Sequence, residues 1–172
     1  MSVKPEFSRQ YSIERLPAGG LDFALEASAA ERDGLSQRFD LVALDRLEAA
    51  GRVQPVAGHG LVEVEGRLRA ALSQRCVVTL EPVPAEIEAE FRRIFARDQE
   101  AVDEVDIDPE ADEPEPLEGG SIDVGELVAE ELAMALDPYP RAPEADDTLT
   151  AIAPAEAEPV GAFASLASLR RH

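Results

Sequence analysis

The chain has 172 residues, of which 5 % are aromatic, and a formal net charge of −20 at pH 7. This charge disfavours binding to DNA and to anionic membranes, and the single cysteine, Cys76, excludes an intramolecular disulfide. Because no apolar stretch reaches the about 20 residues of a membrane helix and the first nine residues lack the apolar run of a signal peptide, we expect a cytoplasmic protein with a small core.

The first predicted element is a β-hairpin. Apolar residues alternate at Tyr11 and Ile13 and again over residues 21–25, as in two short strands. Residues 17–20, Pro-Ala-Gly-Gly, predict the turn between them, because Gly tolerates a positive φ and Pro fixes its own φ.

A short helix is predicted after the hairpin. Ser28 and Glu31 have the spacing of a capping box. Leu35 and Phe39 lie four residues apart, which places them on one helix face. Gly34 weakens this helix.

The clearest strand prediction covers residues 62–72. The even-numbered positions are mainly apolar and the odd-numbered ones from 63 to 69 carry glutamate or arginine, which describes a sheet with one solvated face. A preceding strand is predicted around 52–56, with a turn at 58–60 between the two. The apolar alternation resumes over residues 76–80, and Pro82 and Pro84 end it.

Residues 85–95 fit either a helix or a strand. Ile87, Phe91 and Phe95 are spaced for one helix face, and the Glu, Ala and Arg residues between them favour a helix. The same three residues, together with Ala89, also lie on one face of a strand. Local propensity favours the helix, and the residues alone leave both alternatives open.

The negative charge is concentrated after residue 97. Residues 1–97 hold 13 basic and 15 acidic side chains, whereas residues 98–172 hold 3 basic and 21 acidic ones. Residues 98–118 contain 11 acidic side chains and no basic one, which predicts a solvated, disordered linker. The first part can therefore fold compactly, and the second attracts basic proteins, of which ribosomal proteins are an obvious class.

A longer helix is predicted from Asp123 to Leu136. Asp123 has the residue type of an N-cap, with Glu126 three residues later. The apolar residues that follow recur at helical spacing. We expect this helix to dock on the sheet.

The predicted organisation is one domain over residues 1–143, with the 98–118 linker inside it, and a flexible tail over residues 144–172. The tail ends in a short apolar motif at Phe163, Leu166 and Leu169. This spacing fits a helix that docks in a groove of a partner. Packing of the tail on its own domain, or fraying, is an equally good interpretation.

The sequence contains no recognisable set of catalytic residues. His59 and His172 are the only histidines, and with one cysteine they do not supply a zinc site or a Cys–His pair. The acidic residues of 98–118 lack the glycine that an EF-hand loop needs at its sharp turn. We therefore expect neither an enzyme nor a bound metal or cofactor.

Four residues are candidates for partner binding. Arg67, Arg69 and Arg75 form a basic stripe on the solvated face of the predicted strand, where they could contact phosphate. Neighbouring glutamates dilute this stripe, so the signal for RNA is weak. Cys76 follows it, and a cysteine in an apolar strand behaves as a small hydrophobic residue.

Several short segments have the order and spacing of a known family. They are residues 7–9 with 16–17, 26–27, 31–32, Gly66 with Leu68 and Ala70, 74–83, and 117–140. Together they resemble the YceD family of large ribosomal RNA subunit accumulation proteins, from Phe7 to about Pro143. Many members carry a C-x-R-C-L motif at Cys76. Here Val78 replaces the arginine and Thr79 the second cysteine, so a dithiol is missing.

The resemblance implies a role in the synthesis, processing or stability of 23S ribosomal RNA, and it transfers no catalytic residue. It also implies that residues 85–95 are a strand paired with the preceding one. We expect an α+β fold, with a mainly antiparallel sheet, a short helix in the N-terminal half and a longer helix in the C-terminal half.

The leading hypothesis is a bacterial ribosome-biogenesis factor that binds a large-subunit ribosomal protein or an assembly factor. The 23S rRNA precursor is a second candidate partner, with Arg67, Arg69 and Arg75 as its contact. Two alternatives stay open. One is an acidic protein-interaction module outside ribosome assembly, and the other is a metal-assisted hydrolase that uses the acidic linker.

Overall fold

Three long strands with alternating apolar residues form the centre of the fold. The computed structural model describes residues 5–56, 60–97, 114–117, 119–145 and 147–148. This part of the chain contains seven strands, the two α-helices named below and a 3-10 helix at Ile13–Arg15. In chain order the strands and α-helices are β1 (Gln10–Ser12), β2 (Leu21–Glu26), α1 (Ala29–Arg38), β3 (Ala43–Val56), β4 (Leu61–Arg75), β5 (Pro82–Ala96), β6 (Glu115–Pro116), β7 (Ser121–Asp123) and α2 (Val124–Ala135). The predicted α+β class is confirmed.

The main sheet has five strands in the order β2-β3-β4-β5-β6. The first four strands pair antiparallel, and β6 joins β5 in parallel. The predicted strand over 62–72 is confirmed as the central part of β4, and the strand predicted around 52–56 is the end of β3. Strands β1 and β7 form a separate two-stranded sheet, and Tyr11 of β1 contacts the Phe23 ring of β2.

One face of the main sheet, the inner face, carries the core. Val64, Leu68 and Leu72 of β4 are 0 %, 0 % and 2 % exposed, because every second residue of a strand points to the same side. Both helices add apolar side chains to this core, among them Leu35 of α1 and Leu132 of α2. The opposite face of β2 to β5, the outer face, carries charged residues.

Helix α1 begins as the sequence predicts. The Ser28 hydroxyl accepts a hydrogen bond from the Glu31 backbone N–H, and the Glu31 carboxylate accepts one from the Ser28 N–H. Glu31 also pairs with Arg9 at 2.7 Å. That hydrogen bond from Arg9 lowers the pKa of Glu31 to about 2, against the opposing effect of burial. The capping box thus also fastens the N-terminal segment to α1.

Helix α2 is the predicted longer helix. The Asp123 carboxylate accepts a hydrogen bond from the Glu126 backbone N–H, which caps the helix. The same carboxylate accepts hydrogen bonds from the Ser8 hydroxyl and the Arg9 backbone N–H. Because Asp123 is also the last residue of β7, one side chain joins the N-terminal segment, the small sheet and the helix.

The predicted hairpin between Tyr11 and Leu25 is wrong. Strand β1 pairs with β7, and β2 pairs with β3. The turn at Pro17 does form, since Gly20 N–H donates to the Pro17 carbonyl at 2.9 Å. The strands on either side of this turn, β1 and β2, do not pair with each other, because the hydrogen bonds of Asp123 hold β1 against β7 instead.

The predicted extension of the strand through residues 76–80 is also wrong. Strand β4 ends at Arg75, and the Cys76 N–H donates to the Glu81 carbonyl at 2.8 Å, which closes a turn. Pro82, predicted to end a strand, instead begins β5. Strand β5 includes residues 85–95, so the helix that local propensity favoured is not formed, and the strand that the resemblance implied is confirmed.

The acidic linker and the tail lie largely outside the described residues. Within 98–118, the structure describes 114–117, where β6 pairs with the end of β5. Beyond α2, Ala142 and Ala145 are 7 % and 1 % exposed and pack against Cys76. Packing against the domain therefore continues at least two residues past 143.

Candidate functional site

The outer face of the sheet holds the three candidate arginines. Arg67, Arg69 and Arg75 occupy odd-numbered positions of β4, opposite to the core residues, and all three are exposed. The alternation that predicted a solvated face for Arg67 and Arg69 is therefore confirmed.

Two of the three arginines are already paired with carboxylates of β5. Arg67 forms ion pairs with Glu90 and, at 3.4 Å, with Glu88, while Arg69 contacts Glu88 at 3.1 Å. The hydrogen bond to Glu90, reinforced by the charge of Glu88, raises the pKa of Arg67. Among the described residues, Arg75 has no ion-pair partner. A phosphate would have to compete with carboxylates at two of the three positions.

The outer face as a whole carries more negative than positive charge. The alternation along β2 to β5 places six arginines and eight carboxylates on it. The arginines are Arg46, Arg52, Arg67, Arg69, Arg75 and Arg92, and the carboxylates are Asp22, Glu26, Glu48, Glu63, Glu65, Glu86, Glu88 and Glu90. The basic stripe that the sequence indicates is therefore part of a mixed surface with an acidic excess.

An open depression of about 1070 Å³ crosses this face. Its centre is lined by the small residues Ala24, Ala50, Gly51 and Gly66. Gly51 and Gly66 contribute only backbone to the depression, because their positions face the inner side, where a Cβ on Gly66 would lie 2.8 Å from the Phe91 ring and 3.1 Å from the Phe23 ring. Long charged side chains surround a centre that has none, which leaves space for a side chain of a partner.

The described part of the depression includes one unfavourable row of charges. Glu26 of β2 lies directly opposite Glu48 of β3. Both side chains are on the outer face, and like charges at directly opposite positions of a sheet destabilise it. Neither carboxylate has an ion-pair partner in the part of the chain that the structure describes. Arg69 lies opposite Glu48 on β4 but pairs with Glu88, so the row holds three carboxylates and one arginine.

Cys76 lies on the other side of the chain from the arginine stripe. It is 0 % exposed and packs against Ala142 and Ala145. Its Sγ accepts backbone N–H groups of Val78, Thr79 and Ala142 at 3.4, 3.3 and 3.3 Å. The predicted role as a small buried residue agrees with this burial, and the structure does not bring Cys76 together with the arginines.

The hydrogen bonds at Cys76 change the chemistry of its thiol. Burial raises the pKa, but the N–H donors of Ala142, Thr79 and Val78, with the Thr79 side chain, lower it by more, to about 6. The nearby backbone is unusual too, since Leu80 has a φ of 64°. Enclosure of Sγ by the turn and by Ala142 blocks its contact with solvent, so the described fold gives the thiol a structural position.

The remaining candidates have no described position. Phe163, Leu166 and Leu169 lie outside the described residues, as do both histidines and the aspartates of the acidic linker. Within the described residues, none of the helices has the length and the apolar composition of a membrane span.

Sequence reasoning missed the depression and the row of Glu26 and Glu48. Both depend on the pairing of β2 with β3, whereas the sequence placed β2 in a hairpin with the Tyr11 segment. The signal that could have found them is the pair of small outer-face residues, Ala24 and Ala50, within strands that otherwise carry charges there.

A comparison with protein families gives one match. The model of the family described as large ribosomal RNA subunit accumulation protein YceD matches residues 64–170, more than half of the chain. The matched range begins within β4 and includes the arginine stripe, Cys76, β5 and α2. The N-terminal segments of the resemblance lie before this range, and the match extends past Pro143. No curated protein and no solved structure matches the chain.

Proposed function

We propose that this chain, which belongs to the YceD family, supports accumulation of 23S ribosomal RNA. It would do so by binding a basic protein of the large subunit or of its assembly machinery. The role in large ribosomal subunit RNA accumulation comes from the family. Action by binding and not by catalysis, the identity of the partner and a cytoplasmic place of action are our proposals.

The observation that carries the choice of partner is the charge balance of the outer face. Arg67 and Arg69 already contact Glu88 and Glu90, and carboxylates outnumber arginines on the face. The whole chain, with a net charge of −20, has the same sign. Such a surface attracts cations and repels polyphosphates, so a basic protein is favoured over naked RNA.

Direct contact with the 23S rRNA precursor is the second candidate interaction. Arg75 favours it, because this exposed arginine has no ion-pair partner within the described ranges. Crosslinking of the protein to precursor RNA tests this contact. Crosslinks at Arg75 and its neighbours would support it, and crosslinks confined to other surfaces would exclude the arginine stripe as the RNA contact.

The first experiment is depletion of the protein in its native host. We expect fewer large subunits in sucrose gradients and an altered level of 23S rRNA precursors, with normal levels restored by the wild-type chain. Normal large-subunit levels after depletion would contradict the proposal.

The second experiment is a pull-down with the tagged full-length chain at physiological salt, with and without nuclease. We expect enrichment of large-subunit precursors and of a basic protein that survives nuclease treatment. Because exposed charges attract the partner, recovery should fall as salt is raised. Absence of large-subunit components would favour an interaction module outside ribosome assembly. Loss of the partner on nuclease treatment would favour RNA as the direct contact.

A further inference from the structure

The β2 edge of the main sheet is open for pairing. Among the described residues, β2 pairs with β3 on one side and with no strand on the other. The Ala27 N–H donates to the Leu47 carbonyl, which continues the β2–β3 ladder. In an antiparallel ladder these bonds alternate along the strand. The backbone N–H and C=O groups of Asp22, Ala24 and Glu26 therefore point away from β3, toward the open edge.

The side chains at this edge differ between the two faces. Asp22 and Glu26 flank Ala24 on the outer face, at the rim of the depression. On the inner face, Leu21 is 44 % exposed beside the buried Phe23. A strand added at this edge would thus meet carboxylates with one set of alternate residues and apolar surface with the other.

The charge of this row of the sheet specifies the charge of the added strand. Glu26 faces Glu48 across the β2–β3 pair, and Arg69, which lies opposite Glu48 on β4, forms its ion pair with Glu88 instead. The row therefore holds three carboxylates and one arginine. Ala24 and Ala50 in the neighbouring row are small, so a long side chain can cross β2 between Asp22 and Glu26. A lysine or arginine in that position would place its charge beside both glutamates and relieve their repulsion.

We propose that the basic protein partner binds the β2 edge through an extended segment that alternates basic and apolar residues. The basic side chains enter the depression beside Glu26 and Glu48, the apolar ones cover Leu21, and the backbone pairs with residues 22–26. This inference rests on the proposed function for the nature of the partner and adds the place and mode of its binding.

The test is an NMR titration of the isotopically labelled full-length chain with a capped octapeptide that alternates arginine and valine. An octapeptide of the same composition with its arginines contiguous is the control for charge alone. We expect the amide signals of Asp22, Ala24 and Glu26 to shift and their hydrogen exchange to slow with the alternating peptide only. The amides of Phe23 and Leu25 already pair with β3 and should change less.

Two variants separate backbone pairing from charge. Ala24→Pro removes an outward N–H that β3 does not use, and it should abolish the titration response. The double variant Glu26→Gln, Glu48→Gln keeps the backbone and the side-chain shape, and it should weaken peptide binding about tenfold. Its matched control is Glu81→Gln, Glu144→Gln, which removes two exposed charges far along the chain and should leave binding within about twofold.

Three results would overturn the inference. They are equal responses to both peptides, shifts confined to other strands, or equal losses in the two double variants. The carboxylates of β2 would then serve only to keep this edge from self-association. The pull-down and depletion do not depend on where the partner binds. If the titration fails but the pull-down succeeds, binding at the β2 edge is refuted and the proposed function stands. If the titration succeeds but large-subunit levels stay normal after depletion, the proposed function is refuted and binding at the β2 edge stands.

Discussion

The two faces of the main sheet both carry arginine–carboxylate clusters, but in different surroundings. On the outer face, Arg69 and Glu88 are 55 % and 54 % exposed in their side chains. On the inner face, Arg93 is 26 % exposed and contacts Glu115 at 2.9 Å and Glu130 at 3.2 Å. Water can replace the partners of Arg69 at little cost, whereas Arg93 depends on carboxylates supplied by other elements.

This difference separates a surface that can exchange partners from one that holds the fold together. Arg93 joins β5 to β6 and to α2, and its Nε atom is buried without a hydrogen bond of good geometry. Burial raises the pKa of Glu130 and of Glu131, a cost that the charge of Arg93 opposes. The side chains of Arg67, Arg69, Glu88 and Glu90 on the outer face are at least half exposed, so their ion pairs are available for recognition.

The largest expected difference between the faces is in packing. Leu68→Ala, on the inner face of β4 and 0 % exposed, should lower the free energy of unfolding by about 2–5 kcal/mol, because it leaves a cavity in the core. The adjacent outer-face change Arg69→Ala should stay within about 0.5–1 kcal/mol. Urea unfolding followed by circular dichroism measures both. Similar losses for the two variants would contradict the division into a structural and an exchangeable face.

Removal of the inner arginine is the next largest effect. Arg93→Ala leaves Glu130 and Glu131 partly buried without their cation, and it should cost about 1–3 kcal/mol. The loss should be smaller at acidic pH, because protonated glutamates no longer need the arginine. Urea unfolding of this variant at pH 7 and at acidic pH provides the check. A loss that is the same at both pH values would show that Arg93 acts through packing and not through charge.

Acidification should change the contribution of Glu31 to stability in the opposite direction from that of Glu130 and Glu131. Glu31 has a folded pKa of about 2, below its ordinary 4.5, so its contribution to stability is present above pH 4.5 and is lost as the pH falls toward 2. Glu130 and Glu131 have raised pKa values, so their cost at neutral pH is relieved on acidification.

The variant Glu31→Gln isolates the contribution of the ionised Glu31 carboxylate to stability. It should lower stability by about 1–2 kcal/mol at pH 7, less than the full pKa shift implies because Arg9 is partly solvated. Near pH 2 it should cost little. Unfolding free energies of the wild type and the variant over this range provide the measurement. A constant difference would assign the whole effect of Glu31 to the helix cap.

The sequence predicted those parts of the fold whose signal is local. The alternation of β4, the capping box at Ser28 and the N-cap at Asp123 are set by neighbouring residues, and all three are present. The pairing partner of β2 is set by tertiary contacts, which a turn signal such as Pro17-Ala-Gly-Gly does not specify. For the same reason, residues 85–95 form a strand against their helical propensity, because β4 offers a pairing partner over the whole length of β5.

The candidate site was less predictable than the fold. The arginine stripe follows from the period of a strand, but its neutralisation by Glu88 and Glu90 depends on the β4–β5 register, which the sequence left open. The turn after Arg75 was missed because Leu80, not the usual Gly or Asn, adopts the left-handed conformation there. The burial of Ala142 and Ala145 on Cys76 has no periodic signal, since each alanine lies two residues after a proline, in a segment without a helical or strand pattern.

The smallest expected effect concerns the like charges of Glu26 and Glu48 on the outer face. Glu26→Gln, Glu48→Gln removes like charges at opposite positions of β2 and β3, so it should raise the free energy of unfolding by about 0.2–1 kcal/mol. Glu88→Gln, which removes a partner of Arg67 and Arg69, should instead lower it slightly. Both changes should shrink in high salt, because screening weakens exposed charges. Chemical unfolding at low and high salt gives both values. A loss of stability in the double variant would mean that cations of the chain itself already stabilise Glu26 and Glu48. A basic side chain of a partner would then gain little at the β2 edge.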